Sequence, residues 1–161
     1  MKKIVLMLML LAPMTMMAQK FGKVNTQTIM QALPDVAKAN GELEALQKQK
    51  DNELKAMQDE LNRKLDEYQK GQSTMNATAK QQKETELQGL NQKIQQAYQD
   101  GQQELQKKSN ELMQPIVAKV RAAIDAVGKA GNYTYIFEEG AAIYTGSNVV
   151  DVTKEVQSKI K

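Results

Sequence analysis

Cysteine, histidine and tryptophan are absent from the 161 residues, and the only aromatics are two phenylalanines and five tyrosines. Without cysteine there is no disulfide, no thiol nucleophile and no thiolate metal ligand. Without histidine the commonest metal ligand and the usual general base are missing as well. Asp, Glu, Lys and Ser could still catalyse, but no spacing of them here suggests a reaction. The expectation is a protein that is not an enzyme and uses no cofactor or metal. So few aromatics also leave little material for a compact core, and a chain of this size that lacks one has an extended part.

Long apolar runs are equally scarce. The one run, Ile4 to Leu11, follows the positive Met1-Lys2-Lys3 and is too short to span a bilayer comfortably. Ala12-Pro13 breaks it, and Thr15-Met16-Met17-Ala18 leads to Gln19. This pattern is that of a secretory signal cleaved near Ala18, with an N-terminal membrane anchor as the alternative. No cysteine follows the run, which excludes a lipid-anchored lipoprotein. An exported, soluble mature chain is expected. Loss of Lys2 and Lys3 with the signal lowers the net charge from +3 to +1. That is not the basic excess of a nucleic-acid binder, and no aromatics are interleaved with the basic residues to stack on bases.

Three zones follow the signal. Residues 19–34 read as a strand and a short helix, 35–127 as helix, break and helix, and 128–161 as strands and a last helix. In the first long helix Leu43, Leu46, Leu54, Met57, Leu61, Leu65 and Tyr68 recur every three or four residues. In the second the stripe is Leu87, Leu90, Ile94, Tyr98, Gly101, Leu105, Leu112, Ile116, Val120, Ile124 and Val127. Each is one narrow apolar stripe with coiled-coil spacing on an otherwise polar helix. The break near residues 70–78 holds the turn formers Gly71, Ser73, Asn76 and Thr78. Thr78 with Gln81 resembles a capping box that starts the second helix. Two singly striped helices bury their stripes against each other, so an antiparallel hairpin is expected rather than one continuous coiled coil. Arms of ~40 residues would make a rod on the order of 60 Å long.

Beyond the second arm, Tyr133, Tyr135 and Phe137 alternate with Thr134, Ile136 and Glu138, the period of a strand. Glu138-Glu139-Gly140 reads as a turn, and Ala142-Ile143-Tyr144 as a short returning strand. Lys20 to Asn25 could pair with either. Asp151 is placed to cap a final helix with Val152, Val156 and Ile160 on one face. The whole is an α+β chain, a long helical hairpin projecting from a small β-sheet body. Three short strands with open edges are marginal alone. An oligomer joined through the sheet is therefore expected, with Phe21, Val24, Tyr133, Tyr135, Phe137 and Ile143 as interface candidates.

Three segments carry a family resemblance. FGKVNTQTIMQALPD (21–35), LMQPIVAKVRAAIDAVGKAGNYTYIFEEG (112–140) and NVVDVTKEVQSKIK (148–161) resemble, in that order, the N-terminal segment, the return of the second arm to the body and the C-terminal helix of the Skp (OmpH) family of periplasmic chaperones. The resemblance implies a homotrimer with a barrel-like body and three arms around a cavity. It implies a holdase, working without ATP, for unfolded outer-membrane β-barrel proteins in the periplasm. One feature departs from the often strongly basic members. Glu42 to Leu112 holds thirteen acids and eleven Lys or Arg, a net −2.

Client contacts are expected from adaptable side chains, with Met57, Met75 and Met113 as candidates. Met57 lies in the stripe and Met113 beside it, where a core role is the plainer reading; Met75 lies in the turn. Lys70, Lys80 and Lys83 form a small positive tip, since no acid lies between Tyr68 and Lys83. Such a tip would attract acidic clients or an anionic membrane surface, or would simply be a solvated turn. Lys50, Gly101 and Ser109 weaken the stripes, and Pro115 should kink the second arm. The competing function is an exported coiled-coil spacer of the cell envelope.

Overall fold

The computed structural model describes residues 19–160. The signal expected over residues 1–18 lies outside the described residues. The chain forms two compact units, one of residues up to Thr26 together with those from Ala122 on, the other Gln27–Arg121.

The first unit is built on β1 (Phe21–Val24), β2 (Tyr135–Glu138) and β3 (Val150–Asp151), in the order β2-β1-β3. Both pairings are parallel, with Phe21 opposite Tyr135 and Gly22 opposite Val150. This corrects the returning strand expected at Ala142–Tyr144. Those residues form an exposed loop, and the third strand comes later. The chain turns at Gly140, whose φ of +83° suits glycine. It then travels to the far edge of β1, so β3 enters parallel and β2 has no hairpin partner.

One face of this sheet is covered. Val24, Ala123, Val127, Val152 and Val156 are buried there as the apolar core of the unit. A Cβ on Gly22 would sit 3.2 Å from Ile136 Cγ1 and 3.2 Å from the Tyr133 ring, so this strand position must stay small. The final helix of the unit, Thr153–Lys159, starts after Val152. Asp151 accepts the Thr153 N–H at 2.9 Å, and the Thr153 hydroxyl oxygen accepts the Asn25 N–H at 2.9 Å. The N-cap expected at Asp151 is Val152 instead; Asp151, one residue earlier, still accepts the first helical N–H, and the Thr153 hydroxyl fixes the end of β1 to the helix.

The second unit begins with most of α1 (Thr26–Ala32) and continues into α2 (Pro34–Gly71). Pro34 holds the preceding Leu33 extended, at φ −82° and ψ 124°, which separates the two helices by one residue. After α2 a short turn leads to α3 (Ala77–Ala130), most of which belongs to this unit. The cap of α3 is Asn76, whose Oδ1 accepts the Ala79 N–H at 2.8 Å. The expected capping box on Thr78 is therefore corrected. Asn76 sits one residue before the helix with its carbonyl free for Lys80, and Thr78 already lies in the first turn. Pro115 stands inside α3, which runs through it.

The last turns of α3 return to the first unit. Tyr133 N–H bonds the Gly128 carbonyl and Asn132 N–H bonds that of Lys129, the double closure of a Schellman end. Asn132 takes the left-handed position, with φ 52°. The end of α3 and the approach to β2 are thereby fixed to one another. With α4 for Thr153–Lys159, the element order is β1-α1-α2-α3-β2-β3-α4.

Candidate functional site

Two surfaces carry the residues that the sequence singled out, one in each unit.

In the first unit the uncovered sheet face is aromatic. Phe21, Tyr135 and Phe137 project from it because residues opposed in a parallel ladder share a face. Their ring centroids lie 6.2, 6.4 and 5.7 Å apart and the rings are stacked. Tyr135 and Phe137 remain exposed. Beside them Lys23 donates to Glu139 at 2.6 Å, and Asn25 donates to the other oxygen of the same carboxylate at 2.8 Å. The Glu139 carboxyl is held below the usual carboxylate range, first by the Lys23 hydrogen bond and then by that of Asn25. Next to the face, the loop from Gly140 to Val149 presents Ile143, fully exposed, and Tyr144, 84 % exposed.

Two interface candidates are placed differently. Val24 is only 3 % exposed and belongs to the unit's own core. In β1 it points opposite to Phe21, as alternation requires. Tyr133 is half-buried and packs on Gly22 and Gly131, with Lys20 Nζ 4.0 Å above its ring and bonded to the Gly131 carbonyl. Tyr144 was not singled out in the sequence. Its only signal there is an apolar pair, Ile143-Tyr144, lying between Gly140 and Gly146 with no alternating partner.

In the second unit α2 and α3 lie antiparallel, and a ladder of polar cross-arm contacts shows their register. Asp35 pairs with Lys119 at 2.6 Å, Glu42 with Lys108 at 3.4 Å and Lys50 with Glu104 at 2.8 Å. Nearer the tip Lys64 pairs with Glu86, and the Tyr68 hydroxyl donates to Glu84 at 2.6 Å. Partner numbers fall from 119 to 84 as the first arm runs from 35 to 68, as a hairpin demands. Between the rungs the stripes meet. Leu61, Ile116 and Val120 are buried, whereas Leu43, Leu46, Leu54, Ile94 and Leu105 are only half-covered. Leu65 and Tyr98 stay exposed.

Lys50 and Gly101, both read as weak seam positions, face each other. The lysine stem runs 3.7 Å from where a Gly101 Cβ would be, and its ammonium reaches Glu53 and Glu104. A lysine is accommodated because the opposite residue has no side chain and the charge leaves the seam.

Met57 and Met113 are half-buried along the arms. Met75 is also partly covered: its Cε occupies the space that a side chain on Gly71 would take, 2.9 Å from that Cβ position. At the tip Lys70 pairs with Asp66 at 2.5 Å and Lys83 with Glu86 at 3.3 Å. Among the described residues Lys80 has no ion pair. The acid-free stretch is thus flanked by acids that return to two of its three lysines across one helical turn.

A pH dependence follows. Glu86 is held below the ordinary carboxylate range by Lys64 first and Lys83 second, and Asp35 by Lys119. A carboxylate depressed in the folded state stabilises fully above its unfolded value, near 4.5 for Glu, and that contribution disappears as pH falls through the folded value. The melting midpoint should be flat from about pH 8 to about pH 5 and fall below that. Glu86→Gln should lessen the fall in a thermal melt.

Among the described residues no cluster of three or more acidic, histidine or cysteine side chains could hold a metal, and no helix is long and apolar enough to cross a membrane. A long antiparallel helical hairpin with half-covered apolar seams, in a chain that also builds a small open-edged sheet with a bare aromatic face, defines an α+β protein of the helical-arm class. The sequence pattern of the family described as "Outer membrane protein (OmpH-like)" matches residues 20–160, and the chain belongs to that family. Chaperone protein Skp of Pectobacterium atrosepticum is 26 % identical over 144 residues, covering 89 % of this chain and 87 % of its own. Chaperone protein Skp of Yersinia enterocolitica is 26 % identical over 154 residues, covering 96 % and 93 %. A crystal structure from Caulobacter crescentus CB15, described as a candidate OmpH-like outer membrane chaperone, superposes with a TM-score of 0.77 at 15 % identity. That match covers 88 % of this chain and 83 % of the other and supports the fold alone. The protein is by this membership a chaperone and not an enzyme.

Proposed function

We propose that this chain is an ATP-independent holdase of the periplasm that keeps unfolded outer-membrane β-barrel proteins from aggregating. The observation that carries the reading is the half-covered seam of a long hairpin. Two helices facing only each other leave apolar strips along both sides of the contact, over a length that many weak client contacts can share. Such contacts hold a chain without fixing its conformation, and several arms acting together raise their effective concentration. Met57, Met75 and Met113 add adaptable apolar surface to these strips. The charge balance of the arms leaves apolar contact, rather than charge, as the main attraction.

The working form in this reading is a homotrimer joined through the aromatic sheet face and the exposed loop, with Phe21, Tyr135, Phe137 and Ile143 covered by neighbouring copies. The sheet's two open edges and its unpartnered rings support assembly, because both are aggregation liabilities in a lone chain. No observation favours the envelope-spacer reading.

The test is light-scattering mass after size-exclusion chromatography. The exported form is run alone and mixed with an outer-membrane β-barrel protein diluted from urea. A trimer mass and a soluble complex are expected. A barrel protein left to aggregate would overturn the holdase reading whatever the mass of the chaperone.

A further inference from the structure

The tip of the hairpin is closed by a thioether. Residues 72–74 and 76–78 are exposed, and Met75 between them is partly covered. Its Cε lies on Gly71, the last residue of α2, 2.9 Å from where a Cβ there would stand. The same side chain borders a groove of about 300 Å³ together with Ala79, Gln82 and Lys83 of α3. The hydrogen bonds of the turn stay on one side or the other. Thr74 N–H bonds the Gly71 carbonyl at 3.0 Å, and Asn76 Oδ1 accepts from Ala79. The Met75 side chain reaches toward both helix ends.

With cysteine absent, thioethers are the only sulfur that a peroxide can oxidise, and no thiol in the chain competes for it. Four methionines follow residue 18, namely Met30, Met57, Met75 and Met113. All four are partly covered. Met30, Met57 and Met113 lie inside α1, α2 and α3, whereas Met75 lies between helices. Exposed residues flank it on both sides and a groove opens beside it, so an oxidant reaches its sulfur without displacing a partner helix.

We propose that Met75 is an oxidation site and that its sulfoxide form releases the arm tip. One peroxide oxygen passes to Sδ. The O–O bond breaks, an S–O bond forms, the thioether gives up two electrons and the peroxide leaves as water. The sulfoxide is polar and seeks hydration, so the contact with Gly71 is lost. The turn then keeps its local hydrogen bonds but not the apolar contact that ties it to the helix ends. The arms below stay closed, because the Lys64–Glu86 pair and the Tyr68–Glu84 hydrogen bond use side chains without sulfur. Neither a client nor a second copy is needed for this change.

The experiment treats the exported form with rising hydrogen peroxide. Peptide mass spectrometry should find one added oxygen on Met75 at lower peroxide than on Met30, Met57 or Met113. Amides from Gln72 to Lys80 should then exchange with deuterium about threefold faster or more, the effect of giving up one methylene's worth of burial. Far-UV circular dichroism should not change. In Met75→Leu peroxide should leave tip exchange unaltered. Should that variant fail to fold, Met30→Leu/Met57→Leu/Met113→Leu, whose exported form holds sulfur only at residue 75, should show the same faster exchange as wild type. Oxidation of Met75 no earlier than the other three would overturn the site. Unchanged tip exchange in protein fully oxidised at Met75 would overturn the release.

Discussion

Replacing Tyr135 and Phe137 together with serine is expected to give a folded chain that runs as a monomer and no longer keeps an unfolded barrel protein soluble. Both rings are exposed in the single chain, so their removal leaves no internal cavity. Their loss costs the covered core nothing directly, because that core lies on the opposite sheet face with Val24, Val127, Val152 and Val156. In the proposed trimer, however, each ring covered by a neighbour would contribute about 1.5–3 kcal/mol. Two rings in each copy would multiply that loss around the closed ring that the proposal describes. Far-UV circular dichroism should be almost unchanged while light-scattering mass falls to that of one chain. Retention of the oligomer would show that another surface joins the copies. A monomer that still protected clients would separate holding from assembly.

The second large effect is Val156→Asp. Val156 is completely buried in the first unit, on the helix that Asp151 and Thr153 tie to β1. A carboxylate taken out of water at this site would cost roughly 4 kcal/mol or more. That is a large part of the ~5–15 kcal/mol that holds a typical domain. The first unit should lose its sheet and its final helix. The helix signal should nevertheless survive for the most part. α2 and α3 contain 38 and 54 residues against seven in the last helix, and the cross-arm ladder lies within the second unit. The expected result is a chain with most of its far-UV ellipticity at 222 nm but without assembly or client protection. Cooperative loss of all ellipticity would mean that the hairpin cannot persist once the sheet is gone.

Much of the fold was legible because long helices are written in short-range spacing. The stripes at Leu43 to Tyr68 and Leu87 to Val127 place both arms, and Pro34 and Gly71 lie at the ends where the first arm begins and stops. The turn was legible from Gly71 and Asn76, although the cap fell to Asn76 rather than Thr78. Either residue can serve as a helix cap, and only the backbone geometry at the turn selects one. The boundary between the units, after Thr26 and before Ala122, was not legible, because α3 crosses it without any change in spacing.

The sheet was half legible. The alternation of Tyr135, Ile136 and Phe137 identified β2, and Phe21 to Val24 identified β1. Ala142-Ile143-Tyr144 is a short apolar run of strand-like composition but forms no strand. Three residues contain too little pattern to distinguish a strand from an exposed apolar loop, and β3 holds only two residues. Val24 and Phe21 looked alike as interface residues, yet one is core and the other lines the open face. Which face of β1 is covered depends on where α3 returns, information held in residues about a hundred positions away.

By itself, then, the sequence determined the absence of thiol and imidazole chemistry, the two striped helices and their break, and the apolar strands at either end. These are properties of composition and of neighbours within one or two helical turns. Tertiary structure alone decided the parallel order β2-β1-β3, the pairing of Lys50 with Gly101 and the exposure of the aromatic triad. Each of those depends on which distant residues are brought opposite one another, and the energies that choose them arise only when two surfaces meet.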